Sequence, residues 1–205
     1  YIFTYMICND NEFLFKKFKE ILPEFSDEDI YSFLEICTFN RLKNKTVIIE
    51  PNKKSSLAFF ILKGIIRGYL TNTDGVEKSV FLRPAHTIIG APNALFDEKT
   101  SKYTFEVIGD TELLSFELRD FEKLTLKSTN ILKFLLSSYK EMIQTLLYRV
   151  ESMIDKTPEQ RYKDLLDKNP QFFQTVYHKD IASYLGITPV SLSRIINRKT
   201  EKKIS

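Results

Sequence analysis

Apolar and polar positions change period several times along the chain, and each change predicts a different element. Between Glu12 and Leu22 the apolar side chains Phe13, Leu14, Phe18, Ile21 and Leu22 recur with a helical period, and Pro23 stops the run. A second short helix follows, with Ser26 as its N-cap, acids in its first turn and an apolar face of Ile30, Phe33, Leu34 and Cys37. From Thr38 to Leu118 the pattern becomes a series of β-branched and aromatic runs: TVIIE, LAFFILKG, IIRGYLT, KSVFLRP, HTIIGA, YTFEVIG and TELLSFEL. Turn signals at Pro51-Asn52, Asp74-Gly75 and Gly109-Asp110 separate them. About seven or eight short strands in this span predict a jelly-roll-like sandwich or barrel. Asp74-Gly75 predicts a hairpin, because glycine accepts positive φ without a steric penalty.

The period turns helical again from Ser128 to Asp155, without Pro or Gly. Leu132, Leu135, Tyr139, Met142, Leu146, Val150 and Met153 follow a spacing close to a heptad seam. Phe134, Leu136, Ile143, Leu147 and Ile154 form a second apolar surface. A helix with two apolar faces has to pack twice, so one face is expected on the sandwich and the other on a second copy of the chain. The heptad-like set is assigned to that dimer interface. Thr157-Pro158 then reads as the N-cap and first residue of a new helix, which Asn169-Pro170 ends.

The most informative stretch is HKDIASYLGITPVSLSRIINRK, from His178 to Lys199. Ile181 and Leu185 lie four apart on one helical face, and Ala182 is small where two helices approach. Gly186 suits the left-handed residue that closes a helix, while Thr188 and Pro189 suit the cap and first position of the next. Leu192, Ile195 and Ile196 point this second helix back to a core. Val190, Ser191, Ser193, Arg194, Asn197 and Arg198 are left on its outer face. This is the grammar of a helix-turn-helix, whose second helix, here 189–199, enters the DNA major groove. Arg194 suits bidentate contact with guanine, Asn197 suits adenine, and Val190 suits a thymine methyl. His178, Lys179, Thr188 and Ser191 fall where the helix starts meet the backbone, Pro189 and Ser193 complete the DNA-binding set, and Arg198, Lys199, Lys202 and Lys203 add attraction to phosphate.

Charge sharpens this picture. The net charge of the chain is +3. Residues 1–155 hold 20 Lys and Arg against 22 Asp and Glu, whereas residues 156–205 hold 10 against 5. The positive balance therefore sits beside the helix-turn-helix, which points to an anionic partner there. Two cysteines, Cys8 and Cys37, are too few for a disulfide framework or a four-thiolate metal site. Two histidines, His86 and His178, supply no metal cluster. No apolar run approaches the ~20 residues of a membrane helix, and nothing reads as a signal peptide, so a cytoplasmic protein without membrane attachment and without enzymatic activity is expected.

The order of sandwich, long helix and C-terminal helix-turn-helix resembles the Crp/Fnr family of bacterial transcription regulators. The resemblance implies an α+β chain. Residues 1–127 would form a cyclic-nucleotide-binding-like double-stranded β-helix with its N-terminal helices, 128–155 a dimerisation helix, and 156–205 an all-α DNA-binding domain. It also implies a homodimer on a two-fold symmetric double-stranded operator, with RNA polymerase as a partner and a small-molecule effector. Cyclic nucleotide is the effector to weigh. Members that bind cyclic AMP carry Gly-Glu-Leu, in which Glu holds the ribose, and further on an Arg that pairs with the phosphate. The stretch here is IIGAPNALFDEKTSKYTFEV. Gly90 is in place, but Ala91 and Pro92 stand where Glu belongs, and Ser101 and Lys102 stand where Arg belongs. The expected effector pocket comprises Gly90, Ala91, Pro92, Asn93, Ala94, Leu95, Ser101 and Lys102, with Gln144 and Thr145 from the long helix. The recognition helix departs too: Pro189 and Val190 replace the early Arg and Glu of well-known members, so the operator should differ.

Two other classes compete. A cupin-like small-molecule-binding or enzymatic protein with an incidental helical tail would need several metal-ligating histidines in its barrel, and His86 alone is not such a set. A module whose helix-turn-helix binds protein would show no salt-dependent DNA binding.

Overall fold

The computed structural model describes residues 9–92 and 100–204. Two helices, α1 (Asn9–Ile21) and α2 (Asp27–Glu35), precede the sheet. Ser26 caps α2 through a reciprocal pair: its Oγ accepts from the Asp29 backbone N–H, and the Asp29 carboxylate accepts from the Ser26 N–H. Six antiparallel strands follow among the described residues: β1 (Thr38–Leu42), β2 (Val47–Ile49), β3 (Leu57–Thr71), β4 (Glu77–Pro84), β5 (Ile88–Gly90) and β6 (Thr104–Glu117). β3 pairs with β6 along almost its whole length, β1 and β2 join β6, and β4 and β5 join β3. The Asp74-Gly75 hairpin is present, with Gly75 at φ +76° and the Asn72 side chain accepting from the N–H groups of Asp74 and Val76.

Two expected breaks are bends instead. LAFFILKG and IIRGYLT form the single strand β3, and YTFEVIG and TELLSFEL form the single strand β6. Gly64 (φ +96°) and Gly109 (φ +72°) turn these strands, and the register shifts beside Gly64. Glycine allows a sharp change of direction while pairing continues on both sides, so a turn signal became a corner. A Cβ on Gly64 would lie 2.2 Å from Thr111 Oγ1, whereas one on Gly75 would meet nothing within 4 Å. Gly64→Ala is therefore expected to cost about 2–4 kcal/mol and Gly75→Ala only about 1–2 kcal/mol in urea denaturation. Equal losses would contradict a packed corner.

The nearly unbroken apolar run of β3 is explained by burial on both faces. Ala58, Phe60 and Leu62 face a helical layer, where they join Phe18, Phe33, Phe116 and Phe121. The alternate residues Phe59 and Ile61 face the roll interior with Ile49, Phe81, Phe105 and Val107. Beyond the corner, Ile65 joins Leu82 and Ile108 in a third cluster, built mainly by the C-terminal helices. Period-two alternation thus assigns one strand to three cores.

A helix not anticipated from sequence, α3 (Leu118–Thr125), follows β6 and buries Leu118 and Phe121. The long helix α4 (Thr129–Asp155) starts where expected, with Ser128 Oγ accepting from the Ile131 N–H. Its two faces separate differently from the heptad assignment. Leu135 is 6% exposed and packs into the core of its own chain, with Tyr139 against it. Leu136 is 57% exposed, and Ile143, Leu147, Val150 and Ile154 share its solvent face with Leu132. Of the residues assigned to the dimer seam, Leu132, Leu146, Val150 and Met153 are exposed, whereas Leu135, Tyr139 and Met142 turn toward the chain's own body. Both faces are equally apolar, so only the position of the sheet decided which one turned inward.

The chain ends in α5 (Pro158–Lys168), α6 (Phe172–Thr175), α7 (His178–Tyr184) and α8 (Pro189–Ile204). Thr157 and Gln160 form a second reciprocal cap at the start of α5, with Pro158 at the first helical position.

Candidate functional site

The C-terminal pair α7–α8 is set by its connecting turn. Gly186 adopts φ +69°, its N–H donates to Ser183 O at 3.1 Å, and the Ile187 N–H donates to Ala182 O at 3.0 Å. These two bonds make a Schellman closure, and Thr188 Oγ1 then accepts from the Ser191 N–H at 3.1 Å to open α8. Ile181, Ala182, Leu185, Leu192 and Ile195 are buried together with Tyr162, Phe172 and Val176. With its inner face fixed, α8 turns Val190, Ser193, Arg194, Asn197 and Arg198 to solvent, beside exposed Thr188 and Pro189 and half-buried Ser191. His178 and Lys179 are exposed at the start of α7. Lys199, Lys202 and Lys203 belong to α8, and their side chains lie outside the described residues. The structure thus gathers the residues assigned to a nucleic acid on and beside one accessible helix.

The effector residues are not gathered. Gly90 pairs with Ala58 in the β5–β3 ladder, and Ala91 is fully buried in the roll core. Ser101 is fully buried; its hydroxyl donates to Tyr103 O at 2.7 Å and accepts from the Tyr103 N–H at 3.0 Å. That hydroxyl is spent on its own turn. Lys102 is exposed, Pro92 borders a narrow apolar crevice, and Asn93, Ala94 and Leu95 lie outside the described residues. Gln144 and Thr145 line a different cavity, between α4 and the C-terminal helices.

Sequence reading missed a charged cluster that fastens those helices to the roll. Arg67 on β3 is completely buried. Its Nε donates to Ser79 Oγ at 2.9 Å, and its Nη1 donates to Glu77 at 2.7 Å and to Glu106 at 3.0 Å. Nη2 faces Asp180 of α7 across a 3.1 Å ion pair. Lys45 reaches Glu106 at 2.9 Å and lies 3.9 Å from Asp180. Burial draws the Arg67 pKa down, but the bonds to Glu77 and Glu106 and the charge of Asp180 outweigh it and hold it above the ordinary arginine value. Burial dominates at Asp180 and raises its carboxyl, against the pull of Arg67, Lys45 and Lys179. The only local signal was a charged residue inside the apolar run IIRGY.

Further ties run alongside. The Ser79 N–H donates to Ser183 Oγ at 2.9 Å, and Asn44 donates to the Tyr177 hydroxyl at 3.1 Å. Arg149 of α4 donates to the carbonyls of Val80 and Tyr184 and stacks 4.0 Å from the Tyr184 ring. Arg83 of β4 grips Glu141 of α4 through two bonds of 3.0 and 2.7 Å. Among the described residues no group of three or more His, Cys, Asp and Glu is placed to hold a metal ion, and no helix is long and apolar enough to cross a membrane.

Among curated proteins no sequence matches the chain. The solved structure of FixK2 from Bradyrhizobium japonicum is similar at 16% identity and TM-score 0.70, over 82% of this chain and 87% of that one. The c-di-GMP responsive global regulator CLP from Xanthomonas campestris is similar at 14% identity and TM-score 0.67, over 85% of this chain and 91% of that one. A CooA mutant from Carboxydothermus hydrogenoformans is similar at 17% identity and TM-score 0.66, over 83% of this chain and 79% of that one. Such likenesses establish the α+β fold over more than four fifths of the chain, and residues 39–128 match the family model of the cyclic nucleotide-binding domain.

Proposed function

We propose that the chain is a DNA-binding transcription regulator of the Crp/Fnr type, acting as a homodimer with α8 in the major groove. The observation that carries this reading is the outer face of α8, where Val190, Arg194, Asn197 and Arg198 stand exposed on a helix anchored by Leu192 and Ile195. The fold supports it, since the similar structures include the global regulator CLP. So does the excess of five positive charges over residues 156–205, which a dimer doubles. The exposed apolar stripe on α4 supplies the dimer contact, with Leu136, Ile143, Leu147 and Ile154 joining Val150 and the other exposed members of the expected seam. The Arg67 cluster and Arg149 couple the roll to the DNA-binding helices, because both fix α7 against β4. A cytoplasmic location accompanies this role, and RNA polymerase is the partner through which an activator of this type would act.

Arg194 tests the reading. With a duplex selected from a random pool, Arg194→Ala is expected to lower specific affinity by about 1–3 kcal/mol and to relax the preference at one base pair of each half-site. Fluorescence anisotropy across single-base operator variants measures both. An unchanged affinity and an unchanged base preference would remove α8 from the groove.

A further inference from the structure

We infer that the crevice between α4 and the C-terminal helices is a binding site for a small organic polyanion, a phosphate ester or a di- or tricarboxylate. The crevice encloses about 280 Å³, close to the lower end of ligand-pocket sizes, and both sides of the Lys156–Thr157 junction contribute to its wall. Three cations line it: Arg149 from α4, and Arg161 and Lys168 from α5. Two acids line it as well, and both have cations of their own. Glu141 is held by Arg83, and Asp164 by Lys156 at 2.8 Å. The Lys156 and Tyr148 bonds hold the Asp164 carboxyl below the usual range, so its charge is fixed there.

Among the described residues none of the three cations makes a close ion pair with a carboxylate, although Lys168 lies near enough to Asp164 to help hold its carboxyl down. Arg149 rests on two backbone carbonyls, and its Nε is buried without an acceptor. Arg161 donates to the carbonyls of Leu185 at 3.0 Å and Lys156 at 2.7 Å. Lys168 lies 3.9 Å from the Tyr148 ring. A carbonyl carries only a partial charge, so the crevice keeps a cationic surplus in surroundings that Arg149 shares with little water. An anion entering there would meet guanidinium groups already held in place, which is the cheapest form of recognition. Gln144 and Thr145 add neutral polar groups at the opposite wall.

The roll offers no comparable surplus among its described residues. Phe81, Tyr103 and Phe105 fill its interior in mutual ring contact at 5.3–6.1 Å, and the charge of Arg67 is met by three acids. An occupant of the crevice would touch α4 and α5 together and so bias the angle of the DNA-binding helices, a consequence that rests on the regulator reading. Occupancy itself does not, and is measured without DNA.

Calorimetry on the full chain with inorganic phosphate, AMP, citrate and cyclic AMP provides the test. At least one of these is expected to bind, with AMP against citrate separating phosphate ester from carboxylate. Lys168→Glu, an exposed change that leaves the core intact, should weaken binding about tenfold or more, while Lys102→Glu on the roll leaves it unchanged. The inference is overturned if none of the four binds at about 10 mM. It is equally overturned if Lys102→Glu weakens binding and Lys168→Glu does not. Anisotropy with duplex DNA, with and without the bound probe, then separates the two readings. Saturable probe binding by a chain that ignores DNA would sink the regulator and leave the site.

Discussion

Replacing Arg67 by methionine is expected to cost about 3–5 kcal/mol of folding stability, because it leaves buried Asp180 without its nearest cation and Glu106 with Lys45 alone. Glu106 and Asp180 are nearly sealed from water, with side chains 7% and 3% exposed, whereas Glu77 at 40% can rehydrate. Adding Glu106→Gln and Asp180→Asn should restore most of the loss, since no full negative charge then remains buried. Urea denaturation of the single and triple variants measures this. A deficit below about 1 kcal/mol in the single variant would mean that Arg67 is not the keystone of the docked arrangement.

The pH dependence has a definite sign. The folded-state pKa of Asp180 is already raised above its unfolded value by burial, and Arg67 is the strongest charge holding it down. Without Arg67 the carboxyl moves further up. An acid with a raised folded pKa binds more protons folded than unfolded. Its charged-state penalty is therefore fully present above the folded pKa and disappears as pH falls towards the unfolded value. The deficit of Arg67→Met should shrink as pH falls towards the unfolded carboxylate range; a deficit that grows on acidification would contradict a desolvated Asp180.

Paired aspartates at Leu136 and Leu147 are expected to produce monomers in sedimentation and to reduce operator affinity by about 10²–10⁴-fold, the loss of a linked second half-site. Both side chains are more than half exposed, at 57% and 55%, so their replacement leaves the core of the chain untouched. Along α4 the exposed stripe Leu136, Ile143, Leu147, Val150 and Ile154 advances by steps of 7, 4, 3 and 4, the spacing of a helix seam. Leu135→Asp is the informative contrast, because this residue is 6% exposed. It should destabilise the fold itself, by about 2–5 kcal/mol. A dimer that survives Leu136→Asp with Leu147→Asp would place the interface elsewhere.

Much of the fold was legible because its signals are local. A cap such as Ser26 with Asp29, or Thr157 with Gln160, is decided within one helical turn. The Gly186–Thr188 turn is equally local, and it orients the outer face of α8 before any distant contact forms. The corners at Gly64 and Gly109 show the limit of such reading. A glycine of positive φ marks a change of direction, but whether the strand ends there depends on partners beyond it. The unpredicted helix α3 lies just after a strand whose apolar run gave no reason to stop.

Candidate site residues divided along the same line. The residues of α8 could be named because an inner face rich in Leu and Ile fixes the outer one. The effector set mixed Ser101 with Gln144, which the structure places in a roll turn and a junction crevice. Sequence by itself determined the order of elements, their caps, the exposed basic helix and the concentration of charge beside it. Tertiary structure alone decided which apolar face of α4 turns outward, that Arg67 meets Asp180, and that Arg149, Arg161 and Lys168 surround one crevice. The reason is distance along the chain. Periodicity and capping are set by neighbours within a turn, whereas burial and charge pairing depend on residues that only folding brings together.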